Sequence, residues 1–318
     1  MHFSAKTLGL ASAVVTVLIW TMFIVIARGS ASHTLLPMDI VLLRLIGAGV
    51  LLFPWALWQA RKARASGRFT GSLGGLSPLP LRITLVAGLF GSLLYGMLAY
   101  TGFFYAPASH ASVLMPGSLP LWTSLLAWWW LSEAVPRARL VGLLCIVAGD
   151  LLVGGASLLK AFEGGDVWRG DLLFMSASFV WSVYALIVRR HALDAVQATM
   201  AVTAMGLPVF AALFVLCTSA GLWDTHLWIA PWQESLFQAA FQGGASVVIS
   251  GITFMQMVRY FGPVRSTLMT ALVPGLSALG ALVFLGEPLF WNQWLGLALV
   301  TSGIVLGVRQ VAGPGKAA

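Results

Sequence analysis

Residues 106–133 of this chain are repeated as residues 260–287, displaced by 154 positions. Ser112, Leu114, Met115, Pro120, Leu125, Ala127, Leu131 and Glu133 recur as Ser266, Leu268, Met269, Pro274, Leu279, Ala281, Leu285 and Glu287. The same register carries Gly142 onto Gly296 and Gly149 onto Gly303, and a displacement of 161 carries Gly9, Trp20 and Arg28 onto Gly170, Trp181 and Arg189. The chain is therefore a tandem duplication, and both copies lie in apolar sequence. Hydrophobic residues make up 59% of the 318 and charged residues 9%, against roughly 25% charged in soluble proteins. So little polar surface could not cover a water-soluble domain of this length, and the lipid bilayer is the expected solvent.

Uncharged runs long enough to span a bilayer are expected at 7–27, 38–58, 83–104, 110–131, 138–156, 170–188, 196–217, 235–257, 263–285 and 291–308. Breaks are placed at Pro107 and at Gly262-Pro263. The first run exceeds the apolar stretch of a signal peptide and matches Gly170–Val188, so it reads as a retained helix. The net charge of +8 would suit a nucleic-acid binder, but the cations fall in short tracts between apolar runs. With the N-terminus inside, fourteen Lys and Arg face the cytoplasm: Lys6, Arg61, Lys62, Arg64, Arg68, Arg82, Arg137, Arg139, Arg189, Arg190, Arg259, Arg265, Arg309 and Lys316. Three, Arg28, Lys160 and Arg169, face outward, so both termini are expected to be cytoplasmic.

Five spans per repeat is an odd number, so equivalent helices must cross in opposite directions. The expected fold is all-α: ten transmembrane helices as two inverted five-helix repeats, 1–158 and 159–318, around a central cavity. Inverted repeats are an architecture of secondary transporters, whose substrates bind near the midplane where the repeats meet.

Each repeat has a Trp in its first helix (Trp20, Trp181), a fourth helix with a Pro and a terminal Glu (Pro120 and Glu133, Pro274 and Glu287), and a Gly-marked fifth helix. In this the chain resembles the drug/metabolite transporter superfamily of the type with two EamA domains, over essentially its whole length. In its aromatic content it is most similar to the bacterial exporters of aromatic amino acids. The resemblance implies a carrier of the bacterial inner membrane, with helices 1–4 and 6–9 around the cavity and helices 5 and 10 outside it. It also implies an amino acid as the small-molecule substrate, no cofactor or metal, and a monomer embedded in lipid without nucleic acid. One departure is Arg44 in the second helix, since its repeat mate has no basic residue.

Candidate substrate-binding residues follow from chemistry that is costly to bury. Arg44 could attract a carboxylate; the alternative is a packing pair with Asp150 or Asp39. Trp20 and Trp181 occupy equivalent mid-span positions, and Tyr95, Tyr100 and Tyr184 add faces suited to stacking. Tryptophans 128–130, 223, 228, 232, 291 and 294 instead suit interfacial belts. His110 opens the fourth helix and could bind substrate or sense protons, or simply satisfy a local hydrogen bond. Gln256, like Gln242 before Gly243-Gly244, could contact substrate or bond another helix. Pro120 and Pro274 each remove a backbone hydrogen bond at mid-helix and are candidate hinges.

Cys145 and Cys217 lack metal-ligand spacing. No P-loop, HExxH or GxSxG motif is present, so no enzyme is expected. The sequence reads as an exporter of aromatic or hydrophobic amino acids working by alternating access, the alternative being a carrier of the same fold for another small metabolite or drug.

Overall fold

Lipid offers no hydrogen-bond partner, so a chain this apolar satisfies its backbone within helices. The structure, a computed structural model, describes residues 5–67, 69–161, 163 and 165–309. Of the cations counted above, Arg68 and Lys316 lie outside the described residues, as do the side chains of Lys6, Lys160, Arg259, Arg265 and Arg309 and, among the repeated positions, of Leu131 and Leu268.

The helices are α1 (Ala5–Gly29), α2 (Pro37–Ala65), α3 (Leu81–Gly88), α4 (Tyr95–Tyr105), α5 (Ala108–Ser112), α6 (Leu119–Leu131) and α7 (Arg137–Ala161). They continue as α8 (Val167–Arg190), α9 (Ala195–Ser219), α10 (Trp232–Gln238), α11 (Ser250–Thr270), α12 (Val273–Leu285) and α13 (Trp291–Arg309). Three π-helical segments, Leu89–Leu94, Val113–Gly117 and Ala239–Ile249, join consecutive pieces.

Among the described residues, seven helical stretches are long and apolar enough to cross a membrane, and Val273–Leu285 is a shorter apolar helix. The expected run 110–131 is divided into α5, a π segment and α6. The break expected at Gly262-Pro263 is not there: α11 runs on from Ser250 to Thr270, and the interruption falls at residues 271–272. Continuing the helix keeps backbone groups paired where water is absent, which outweighs the local breaker signal. Pro107 does break the chain, between α4 and α5.

Pro120 and Pro274 were expected to interrupt continuous helices. Each instead stands in the first turn of a new one, α6 or α12. There a missing N–H costs nothing, because the first N–H groups of a helix have no acceptor within it. The two copies also end alike. Ser132 (φ 54°) and Gly286 (φ 66°) are left-handed caps whose N–H groups reach Ala127 O and Ala281 O, and Glu133 N and Glu287 N donate to the same carbonyls.

Two compact units emerge, and each draws on both halves of the sequence. One comprises 1–29, 102–182 and 253–318; the other comprises 30–101 and 183–252. In the first, α7 and α13 approach backbone to backbone. A Cβ on Gly142 would lie 2.6 Å from Gly303 O, and one on Gly149 would lie 2.7 Å from Gly296 O. Since Gly142 and Gly149 are the mates of Gly296 and Gly303, each contact is the other with the copies exchanged, and the two helices run antiparallel. In the same unit, Phe103 packs edge-on against Phe23 and Phe174, and Phe174 lies over Gly102.

The second unit is built on α2. Gly47 lets it touch the π segment, since a Cβ there would sit 1.9 Å from Ala239 O. Ala48, Leu52, Ala56, Met200 and Val248 form the buried cluster around this contact. Asp39 fixes the start of α2: its carboxylate accepts Leu36 N, His226 N and Thr225 Oγ1 at 2.7–3.0 Å.

The glycine seam predicts an asymmetry between substitutions of the same size. Gly149→Ala should lower stability by about 1–3 kcal/mol through overpacking, whereas Gly275→Ala, with nothing within 4 Å of its new methyl, should cause no loss. Thermal unfolding in detergent checks both.

Candidate functional site

A guanidinium inside a span must find oxygen atoms. Arg44, on α2, finds them in the π segment and α4. Its Nη1 donates to Gln242 O (3.2 Å), Ser246 Oγ (3.2 Å) and Tyr100 Oη (3.3 Å). Tyr100, fully buried, donates in turn to Gln242 Oε1 at 2.8 Å. The pairs considered for Arg44 are not formed: the Asp39 oxygens serve the start of α2, and among the described residues neither Asp150 oxygen has a hydrogen-bond partner.

Gln242 is the residue that ties this cluster together. It is fully buried, its carbonyl and side-chain oxygen are both engaged, and its Nε2 has no acceptor among the described residues. The signal for it was the Gln-Gly-Gly run. Those glycines allow the approach, since a Cβ on Gly243 would meet Arg44 O at 2.5 Å. They sit in an 11-residue π-helix, a form that is rare and frequent at functional sites. Tyr95 and Tyr184 belong to the same unit, and the Tyr184 ring lies over Gly91 in the other long π segment.

Trp20, Trp181, His110 and Gln256 belong to the other unit. Trp20 stacks on Phe254 with ring centroids 5.2 Å apart. One and two turns away on α1, Thr16 and Thr253 share a hydrogen bond of 2.8 Å, and Ser12 donates to Gln256 Oε1 at 2.9 Å. Gln256 thus joins α11 to α1, as the interhelical reading expected. Trp181 and Tyr184 stand three residues apart on α8 yet fall on opposite sides of the division between units.

His110 is buried, and its Nδ1 donates to Asp171 Oδ1 at 2.8 Å, while Ser157 Oγ donates to Asp171 Oδ2. Asp171 had not been singled out; it follows Gly170 at the start of a span and carries no motif. Glu287, the terminal Glu of the second copy, holds a three-way junction. It accepts Arg28 Nε at 2.6 Å and Ala108 N at 2.8 Å, and Arg28 Nη1 donates to Phe103 O at 2.8 Å.

Tyr100→Phe should cost about 1–3 kcal/mol, because it leaves the buried Gln242 Oε1 without its donor. Denaturation of purified protein checks it, and Tyr105→Phe, at an exposed position, is the matched control.

Comparison with known proteins agrees with this architecture. The profile of the EamA-like transporter family matches twice, over residues 7–155 and 168–309. The chain is 23% identical to the uncharacterized transporter YyaM of Bacillus subtilis over 222 residues, 70% of this chain and 71% of that one. It is 24% identical to the uncharacterized transporter YvbV of the same organism over 230 residues, 70% of each. It is 30% identical to an uncharacterized transporter of Archaeoglobus fulgidus over 175 residues, 54% of each. A crystal structure with 20% identity shares the fold at a TM-score of 0.60, covering 98% of this chain and 100% of that one.

Proposed function

The chain belongs to the EamA-like transporter family, and from that premise we propose that it exports amino acids with aromatic or hydrophobic side chains across a bacterial inner membrane. The observation that carries the choice of substrate is the Arg44 cluster. Neutral oxygens orient its guanidinium, and the same cluster holds a buried amide donor, Gln242 Nε2, without an acceptor among the described residues. A cation and an N–H donor in one place suit a carboxylate, which every amino acid carries. Tyr95 and Tyr184, in the same unit, provide flat apolar surface for the side chain.

Alternating access would follow from an inverted repeat of ten spans with both termini in the cytoplasm. The exchange-symmetric, antiparallel contacts of α7 with α13 support that topology. Each repeat also has an interruption ahead of Pro120 or Pro274. Short helices that meet at a break can tilt without tearing a continuous hydrogen-bond ladder, so these junctions are the proposed hinges. Pro120→Ala and Pro274→Ala should slow turnover while leaving competitor affinity unchanged. Full turnover in both variants, measured in proteoliposomes, would exclude the hinge role.

Counterflow of labelled tryptophan into proteoliposomes tests the substrate. Phenylalanine should compete and a sugar should not. Arg44→Gln should raise the competing concentration needed by roughly 10- to 100-fold, the worth of a charged hydrogen bond. Competition by the sugar alone would overturn the amino acid reading while leaving the family unaffected.

A further inference from the structure

A cavity of about 490 Å³ lies among α6, α7 and α8, within one unit. Its walls are aliphatic and aromatic, Trp122, Trp168 and Phe179 among them, and two carboxyl groups, Asp150 and Asp171, line it. The two acids differ. Asp171 is committed through both oxygens, to His110 and to Ser157. Asp150 is 7% exposed, and neither of its oxygens has a hydrogen-bond partner among the described residues. The indole Nε1 of Trp122, in the same wall, is also buried without an acceptor among the described residues. Buried polar groups are nearly always paired, and an unpaired acid within a span is costly and marks function. Two orphaned groups lining one cavity point to a ligand.

The lining narrows its chemistry. A hard metal cation takes about six to eight oxygen ligands, whereas this cavity has one uncommitted carboxyl group, and among the described residues no three His, Cys, Asp or Glu are gathered to hold a metal. An anion would meet an acid. A quaternary ammonium suits the aromatic walls but has no N–H for the two oxygens of Asp150. A primary ammonium has three donors and makes charge-assisted bonds to a carboxylate. Leu151 and Leu172, at the edge of the cavity, are 65% and 49% exposed, so an apolar body can extend from it into hydrocarbon.

We propose that Asp150 anchors the ammonium group of an apolar primary amine in this cavity, with Trp122 and Trp168 lying along the amine's body. The same chemistry is offered by a free long-chain amine and by the headgroup of an ethanolamine phospholipid. The site stands whatever solute the carrier moves.

The test uses the full chain in nanodiscs of phosphatidylglycerol, with dodecylamine as the probe and dodecanol and dodecyltrimethylammonium as controls. Dodecylamine should bind by calorimetry and raise the unfolding temperature. The trimethyl analogue should bind more weakly, and dodecanol should not bind. Asp150→Asn, nearly isosteric, should weaken dodecylamine by roughly tenfold or more. Adding phosphatidylethanolamine to the discs separates the sources: competition identifies the lipid headgroup, and its absence identifies the free amine. Equal binding of dodecanol, or unchanged affinity in Asp150→Asn, would overturn the proposal. Should that variant fail to fold, Gly155→Leu fills the cavity from a position with nothing within 4 Å of its Cβ. Undiminished binding in Gly155→Leu would overturn the proposal equally.

Discussion

Close backbone approach at glycine is the contact on which the rest of this structure depends. Lipid tails are as apolar as leucine, so no hydrophobic force draws spanning helices together, and association rests on packing and buried hydrogen bonds. Both units meet this constraint in the same way. In one, α7 and α13 touch at Gly142, Gly149, Gly296 and Gly303; in the other, Gly47 and Gly243 bring α2 against a π-helix. At Gly142, Gly149, Gly303, Gly47 and Gly243 a single methyl group would collide with backbone, which cannot move aside as a side chain can. Large apolar residues are then left to face outward, as Trp129, Leu151 and Val283 do.

The second contact explains why polar chemistry gathers where it does. In the π-helical segment Ala239–Ile249 the carbonyl of Gln242 accepts a hydrogen bond from Arg44. Irregular backbone is tolerated at membrane depth only where other protein groups satisfy it. The guanidinium and the π-helix therefore stabilise each other: without Arg44 the carbonyl loses a donor, and without the wide turn the arginine loses an acceptor. Tyr100 extends the network by one bond, and the Gln242 amide nitrogen has no acceptor among the described residues. This partly satisfied network is the place proposed above for a substrate carboxylate.

How far the sequence revealed this depended on the kind of interaction involved. Apolar runs and paired glycines are local and periodic, so most apolar helices and the glycines of α7 and α13 could be marked in it, but not that those two helices pack together. Arg44, Tyr100 and Gln256 could be singled out because each is a costly residue in an apolar run. Their partners could not, since Ser12 lies 244 residues from Gln256 and Gln242 lies 198 from Arg44. Asp171 was missed because an acid near the start of a helix looks like an ordinary cap until His110 is found beside it. The misplaced break at Gly262-Pro263 shows the limit of local rules. A Gly-Pro pair ends helices in water, where freed backbone groups are hydrated; a bilayer withholds that remedy.

Duplication also accounts for where the two copies are free to differ. The residues they share build turns and seams that both need: the left-handed caps at Ser132 and Gly286, the helix-opening prolines, and the glycines of α7 and α13. Even here the cap was free to drift, because serine adopts the left-handed conformation at a cost of only about 1 kcal/mol. The ionisable groups inside the spans are under the opposite constraint. A second Arg44 or a second Asp150 would have to be buried again, with its own set of oxygens or its own counter-charge. Symmetric chemistry would double that cost. The copies accordingly differ at Arg44 and Asp150, neither of which has a like residue in the other half.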